Sequence, residues 1–253
     1  MLLSFSIEPL VAQNDDVQLY LINSVKVQPS KVVAYEKAVN NFNASMRTAN
    51  VNSIEYYANA TANYEYHYAL PIDNMAQLDK SYFGAAIKKI GEEKFRKEIA
   101  AMDACKVEEV NAIYAHVKAF DYSHASLKDT EMNFRKWDVY ECKPGTEDQV
   151  YALAAEWKAL LKKHDIVRRH AYYFEAIGPK VGTLIVVTDA KDQATYAQQQ
   201  QQLFEKTGAE GLALWRKTEA LMLDVKHRTG RFRLDLSVIP TVEKSQPVVA
   251  EKE

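Results

Sequence analysis

Short runs of β-branched and aromatic residues alternate along the chain with stretches in which apolar residues recur at helical spacing. Residues 17–27 have the composition of a strand. Pro29 then opens a stretch that is amphipathic with helical period to about residue 49. Residues 53–58 and 64–70 predict two further strands, and the turn-compatible residues 59–63 join them. The first quarter of the chain therefore predicts the order strand, helix, strand, strand.

A second helical stretch and a closing strand complete this unit. Residues 73–116 carry apolar side chains at helical spacing, with interruptions near Gly84 and Gly91, and predict helix as far as His116. Residues 117–122 predict a short last strand. The elements from residue 17 to residue 122 thus form one βαββαβ unit.

The second half of the chain repeats the same order. Residues 134–142, 167–177 and 181–188 predict strands, residues 189–227 a long helical stretch, and residues 231–238 the closing strand. Pro144 opens the first helix as Pro29 does, and Tyr151 occupies the place of Tyr35. We therefore predict an α+β fold of two tandem ferredoxin-like βαββαβ repeats, residues 17–122 and 132–239, with a polar linker at residues 123–131.

The two ends of the chain differ from this pattern. Residues 1–13 are mainly apolar, with Pro9 and Ala12 before a polar stretch, and resemble the back half of a secretory signal peptide. They predict export, to the periplasm in a bacterium. Residues 240–253 are charged and lack apolar periodicity, so we expect a disordered tail. No apolar stretch approaches the roughly 20 residues that span a bilayer.

Charge and composition narrow the range of partners. The formal net charge is −2 and the isoelectric point about 6.3, which removes the broad attraction on which nucleic-acid binding depends. Glycine is scarce, with 8 residues, and no phosphate-binding glycine motif is present. Cys105 and Cys142 are too few for a disulfide framework or a zinc site. We expect neither a metal ion nor a nucleic-acid partner.

A βαββαβ unit covers one face of its sheet with helices and leaves the other face bare. Two such faces, packed face to face, predict an α/β barrel within one chain. The repeat order and the aromatic strands 54–57 and 64–68 resemble the dimeric α/β-barrel superfamily, which includes antibiotic-biosynthesis-monooxygenase-like, NIPSNAP-like, EthD-like and chlorite-dismutase-like proteins. That resemblance implies a cavity between the sheets that holds a small apolar or aromatic molecule, or haem.

Candidate site residues lie on the central strands. On the strand 64–68, Glu65 and His67 share one face and three tyrosines the other. If Glu65 and His67 face the cavity, a carboxylate-tuned imidazole is available as a general base; if the tyrosines do, the cavity is an aromatic box. The matching strand carries His170. We predict His67 and His170 as candidate bases, and the following residues as ligand-binding: Glu55, Tyr57, Glu65, Tyr66, Tyr172 and Glu175.

Polarity and histidine placement bear on where a site lies and what it does. Residues 184–187 are wholly apolar, so we expect the site toward the strands of the first half. The first hypothesis is an exported small-molecule-binding or otherwise non-catalytic protein, which uses the intersheet cavity or the outer helices to hold its partner and needs no cofactor. The alternative is a cofactor-independent oxygenase or isomerase-type enzyme acting on an aromatic or apolar substrate. The third is a haem protein, with His116 or His227 at the end of a helical stretch; the oligomeric state stays open.

Overall fold

The computed structural model describes residues 16–51, 53–79, 81–128, 132–179 and 182–239. The predicted signal segment at residues 1–13 and the predicted tail at residues 240–253 lie outside these residues, and both stay predictions. Among the helices in the described ranges, none is long and apolar enough to cross a membrane.

The first half contains four strands and three α-helices. They are β1 (Val17–Val27), α1 (Val32–Thr48), β2 (Tyr57–Thr61), β3 (Glu65–Ile72), α2 (Gly84–Ile90), α3 (Glu92–Asp103) and β4 (Lys106–Val117). The second half begins with the two-residue strand β5 (Tyr122–Ser123). It continues with β6 (Phe134–Cys142), α4 (Glu147–Lys163), β7 (Arg169–Ile177), β8 (Thr183–Ala190), α5 (Gln193–Leu221) and β9 (Met222–Phe232).

Eight of these strands form a closed antiparallel barrel. Their order is β4-β1-β3-β2 in the first half and β9-β6-β8-β7 in the second, which is the same ferredoxin-like order. Two seams join the halves: β2 pairs with β9, and β4 pairs with β7. We expected two sheets packed face to face, whereas the structure has one continuous sheet. Closure satisfies the N–H and C=O groups that four edge strands would otherwise expose.

The prediction was wrong for the last strand of each half. Residues 106–116 and 222–227 were assigned to helices, but they belong to β4 and β9. The segments predicted as closing strands, residues 117–122 and 231–238, each contain a short 3₁₀ turn, Lys118–Phe120 and Leu234–Leu236, with strand or bridge residues only toward their ends. Val107 and Val110, set among Lys106, Glu108 and Glu109, imitate a helical surface. Pairing with β1 along almost the whole of β4 overrides that local preference.

The five helices pack on the outside of the barrel. Tyr35, Phe42 and Met46 of α1 are buried against Tyr66 and Tyr68 of β3. In the second half, α4 packs in the same way on the outward side chains of β7 and β8. Because strand side chains alternate between faces, the residues between these outward positions point into the barrel. The helices therefore decide which face of each strand lines the interior.

Candidate functional site

The interior of the barrel is a cavity of about 810 Å³, within the range of small-molecule sites. Aromatic side chains from both halves line it: Tyr20, Tyr57, Tyr114, Trp137, Tyr173 and Phe232. Aliphatic side chains fill much of the wall between them: Ile22, Ala69, Val110, Val139, Ile185 and Val187. Such a lining suits a flat, largely apolar molecule.

His67 on β3 lines this cavity. Ser24, directly opposite it on β1, forms a hydrogen bond of 2.8 Å with the imidazole Nδ1. The ring centroid lies 6.2 Å from that of Trp137, and Nε2 is 3.9 Å from the nearer Glu65 oxygen, beyond hydrogen-bond distance. Burial, helped by the positive charge of Arg228, lowers the pKa of His67 to about 3. The imidazole is therefore neutral at physiological pH.

Glu65, two residues before His67 on the same face, joins the two halves electrostatically. Its Oε2 lies 3.3 Å from Nε of Arg228 on β9, and its Oε1 lies 3.7 Å from Nζ of Lys26 on β1. Arg228 thus has a carboxylate partner and also stands close enough to His67 to influence its pKa. A cation at this position would attract negative charge on a bound molecule.

A second polar group, centred on Arg135, projects into the cavity from β6. Its guanidinium donates two hydrogen bonds to Asp189, of 2.5 and 2.9 Å, and a third of 2.8 Å to Oδ1 of Asn59. It also lies 5.9 Å from the ring centroid of Phe232. Burial opposes its charge, but Asp189 raises the pKa of Arg135 above its ordinary value. Three hydrogen bonds hold this cation, and it connects both halves across the β2–β9 seam.

Tyr20 and Tyr57 line the cavity and also a neighbouring polar groove of about 520 Å³. Glu55 lies in that groove and accepts a hydrogen bond from the Tyr57 hydroxyl. This bond is the largest contribution that raises the pKa of Tyr57 to about 12. The two tyrosines therefore stand between the groove and the cavity, with Glu55 fixing one of them.

The structure divides the predicted site residues between three places. Tyr57, Glu65, His67 and Glu175 line the central cavity, and Glu55 lies in the adjacent groove. Tyr66, His170 and Tyr172 point outward beneath the helices. Alternation along the strands correctly separated Glu65 and His67 from the tyrosines of β3. It could not show which set faced inward.

Residues from the second half were missed. We expected the site in or near the strands of the first half, but Arg135, Trp137, Asp189 and Arg228 all come from the second half. The sequence of β6 could have indicated its contribution, because Arg135, Trp137 and Val139 are two residues apart and therefore share one face of the strand. For Arg228 this pattern was obscured, because β9 was assigned in part to a helix.

The two histidines considered for haem lie on strands and not at the ends of helices. His116 lies on β4, where its Nε2 is 2.8 Å from Asp121 and its ring stacks on Tyr173. His227 lies on β9, with its Nδ1 2.5 Å from Asp138. Neither is helical, and neither lines the central cavity. The part of the chain that the structure describes also contains no group of three or more His, Cys, Asp or Glu residues arranged to hold a metal ion.

Comparison with known proteins finds likeness at the level of structure. No protein-family model and no curated protein matches the sequence. An anthrone oxidase-like protein has a TM-score of 0.60 at 10% identity, over 87% of this chain and 92% of that one. A provisionally named monooxygenase from Fusobacterium nucleatum has a TM-score of 0.57 at 10% identity, over 87% of this chain and 94% of that one. The fold is the ferredoxin-like α+β barrel.

The chlorite dismutase of Candidatus Nitrospira defluvii, solved with imidazole, has this barrel as well. Its TM-score is 0.50 at 6% identity, over 90% of this chain and 95% of that one. Sequence identities this low support a shared fold, but they say nothing about the residues of the site. The chemistry of this ferredoxin-like barrel has to be argued from its own cavity.

Proposed function

We propose that the barrel cavity binds a flat aromatic molecule with an acidic C–H or O–H group, and that His67 accepts its proton in a cofactor-independent oxygenation. The observation that carries this proposal is the neutral, oriented imidazole of His67 inside an aromatic-lined cavity. The names of two structural neighbours, an anthrone oxidase-like protein and a monooxygenase, support the same class of chemistry. Anthrone, a flat ketone with an acidic methylene group, is a suitable probe.

Proton transfer requires one tautomer of His67. When Nδ1–H donates to the Ser24 hydroxyl, the lone pair of Nε2 is available to the cavity. A pKa of about 3 keeps this nitrogen unprotonated, and therefore able to accept a proton, at any physiological pH. A substrate anion formed beside the ring would raise that pKa, because an opposite charge favours the imidazolium. Arg228 would stabilise the same anion.

The reaction balances with dioxygen as the co-substrate. His67 removes a proton from the methylene carbon, and the resulting carbanion transfers one electron to dioxygen. The two radicals combine to a peroxide, which the imidazolium protonates. Loss of water then leaves a ketone, so that one oxygen atom enters the product and the other leaves as water. His67 returns to its neutral state at the end of the cycle.

Turnover of anthrone in air tests this proposal through quinone absorbance and oxygen uptake. We expect His67→Gln to lower the rate at least about 100-fold, which is typical for loss of a general base. His227→Gln, on the outside of the barrel, is the matched control and should leave the rate unchanged. Quinone formation by His67→Gln at the wild-type rate would contradict the catalytic role. Binding without turnover by the wild type would instead favour the non-catalytic hypothesis.

The two halves support a proposal about origin as well. We infer that the chain arose by tandem duplication of one βαββαβ unit, because both halves have the same strand order, and Pro29 and Pro144 occupy matching positions. The two copies then diverged in polarity. The first supplies the imidazole and the second supplies Trp137, Arg135 and Arg228.

A further inference from the structure

A buried cation lies on the helix-covered side of the second half. Arg168, immediately before β7, is only 3% exposed. One of its terminal nitrogens donates to Gln200 Oε1 at 2.8 Å, and its guanidinium carbon lies 5.4 Å from the ring centroid of Tyr196. No carboxylate of the described residues lies within 4.0 Å of it, and its Nε has no hydrogen-bond partner among them. Burying a charge in this way is costly unless an anion pairs with it.

Two neighbouring polar side chains are also buried without a hydrogen-bond partner in the described part of the chain. His170 is 8% exposed, and neither of its ring nitrogens has a hydrogen-bond partner in the described ranges. Thr188 lies directly opposite it on β8, with a fully buried hydroxyl that also has no partner there. Buried polar groups in native proteins nearly always have a partner, so several together require an explanation.

Two of these groups, Arg168 and His170, line a small cavity between the sheet and helices α4 and α5. It has a volume of about 90 Å³, which is room for a few water-sized groups. Arg168 and His170 contribute its polar wall, and Val150, Leu153 and Trp157 belong to its apolar wall. The strands β6, β7 and β8 separate it from the central barrel cavity, so a ligand here does not touch His67.

We propose that this helix-side cavity is a second binding site, which takes a short-chain monocarboxylate. The carboxylate accepts hydrogen bonds from Arg168 Nε–H and from one ring N–H of His170, and the apolar chain lies against Leu153 and Trp157. Lys136 and Asp138 also line this cavity, and they pair with each other at 2.7 Å. Among the cations that line it in the described residues, Arg168 is the one with no carboxylate within 4.0 Å, so a single negative charge is indicated. The volume and the apolar wall favour two to four carbon atoms over a phosphate.

Isothermal titration with sodium propionate, and with propionamide as the neutral isostere, tests the site. We expect saturable binding of one propionate per chain and none of propionamide. Affinity should rise roughly fourfold from acetate to propionate, as one CH₂ group is buried. Arg168→Gln should weaken binding at least tenfold. The adjacent Arg169→Gln, whose side chain lines the barrel cavity instead, should leave binding unchanged.

A measurement on the wild type guards against a variant that fails to fold. With ¹⁵N-labelled histidine, saturating propionate should shift the ring resonances of His170 and leave those of His67 in place. The proposal is overturned if propionate does not bind saturably, or if it binds Arg168→Gln as well as wild type. It is equally overturned if propionate leaves the His170 resonances unmoved, or if chloride displaces it at equal concentration.

Discussion

At the scale of single residues, the buried charges of this protein connect the two halves of the chain. Arg233, just after β9, donates hydrogen bonds to Glu36 on α1 and to Asp235. Glu36 also accepts a hydrogen bond of 2.7 Å from the Tyr66 hydroxyl. Arg233 is mostly buried, so the cluster is shielded from water and outweighs an exposed ion pair. It fixes the end of the second half onto the first helix.

Glu36→Gln should therefore lower the free energy of unfolding by about 2–3 kcal/mol at pH 7, through loss of charge-assisted hydrogen bonds. Arg233 lowers the pKa values of Glu36 and Asp235 below their ordinary values of 4.5 and 3.8. The stabilisation that these ionised carboxylates give the fold is fully present above their ordinary pKa values. It is lost as pH falls through the lower pKa that each carboxylate has in the folded protein. Urea unfolding should therefore show a large difference from wild type at pH 7 and a smaller one near pH 3. Glu92→Gln, at an exposed pair with Arg96, should cost less than about 0.5 kcal/mol.

His67 should also make the fold lose stability as pH falls, but over a higher pH range than the two carboxylates. Its folded-state pKa of about 3 lies below the ordinary value of 6.5, so the unfolded chain binds the proton more readily. This residue therefore costs no stability above about pH 6.5 and destabilises the fold progressively as pH falls toward 3. Histidine NMR should show the His67 ring unprotonated down to about pH 4. A ring that titrates near pH 6.5 would contradict the buried, neutral imidazole.

At the scale of elements, composition predicted the strands and helices whose own residues have a clear local preference for that structure. The prolines at residues 29 and 144 marked helix entries, and the aromatic runs marked β3 and β7. Strands β4 and β9 were missed because pairing with neighbouring strands, and not their own composition, makes them extended. Most of the first five residues of β4 and much of β9 are exposed, so these segments lack the apolar pattern of a buried strand. Alternation grouped Glu65 with His67, but only the packing of α1 on the tyrosines shows that this pair faces inward. The site could be listed in part from sequence, and its orientation could not.

The β2–β9 seam makes a sharp test of barrel closure. Gly230 on β9 pairs with Thr61 on β2, and a Cβ at Gly230 would come within 2.0 Å of the Ala60 carbonyl oxygen. Gly230→Ala should lower the free energy of unfolding by about 2–3 kcal/mol or more, because backbone atoms on both strands must move. Gly84→Ala, at the start of α2, meets its nearest neighbour at an ordinary 3.4 Å and should be neutral or stabilising. Equal unfolding midpoints in urea for these two variants would count against the seam.

At the scale of the whole molecule, the barrel joins two similar halves into one unit. Each half contributes four strands, and neither closes a sheet by itself. Several interactions link the halves. They are the two strand seams, the ion pair of Arg233 with Glu36, and the hydrogen bond from Arg135 to Asn59. The central cavity exists only when both are folded, since its lining comes from both.

One cooperative unfolding transition should follow from this arrangement. All three tryptophans, Trp137, Trp157 and Trp215, belong to the second half, so their fluorescence reports that half alone. Far-ultraviolet circular dichroism reports both halves. The two signals should give coincident midpoints and slopes in urea, as expected for a two-state unit. A fluorescence transition clearly separated from the circular dichroism transition would mean that the halves unfold independently.

Ligand binding beside Trp137 tests the central claim most directly. A protein with Trp157→Phe and Trp215→Phe keeps Trp137 as its fluorophore, facing the cavity near His67. Titration with anthrone under nitrogen, where it is not consumed, should quench this fluorescence saturably with one molecule per chain. Adding Ala69→Phe, which fills the cavity two residues from His67, should weaken that binding at least about tenfold. Absence of saturable quenching, or quenching that the filled cavity does not alter, would contradict a ligand site inside the barrel.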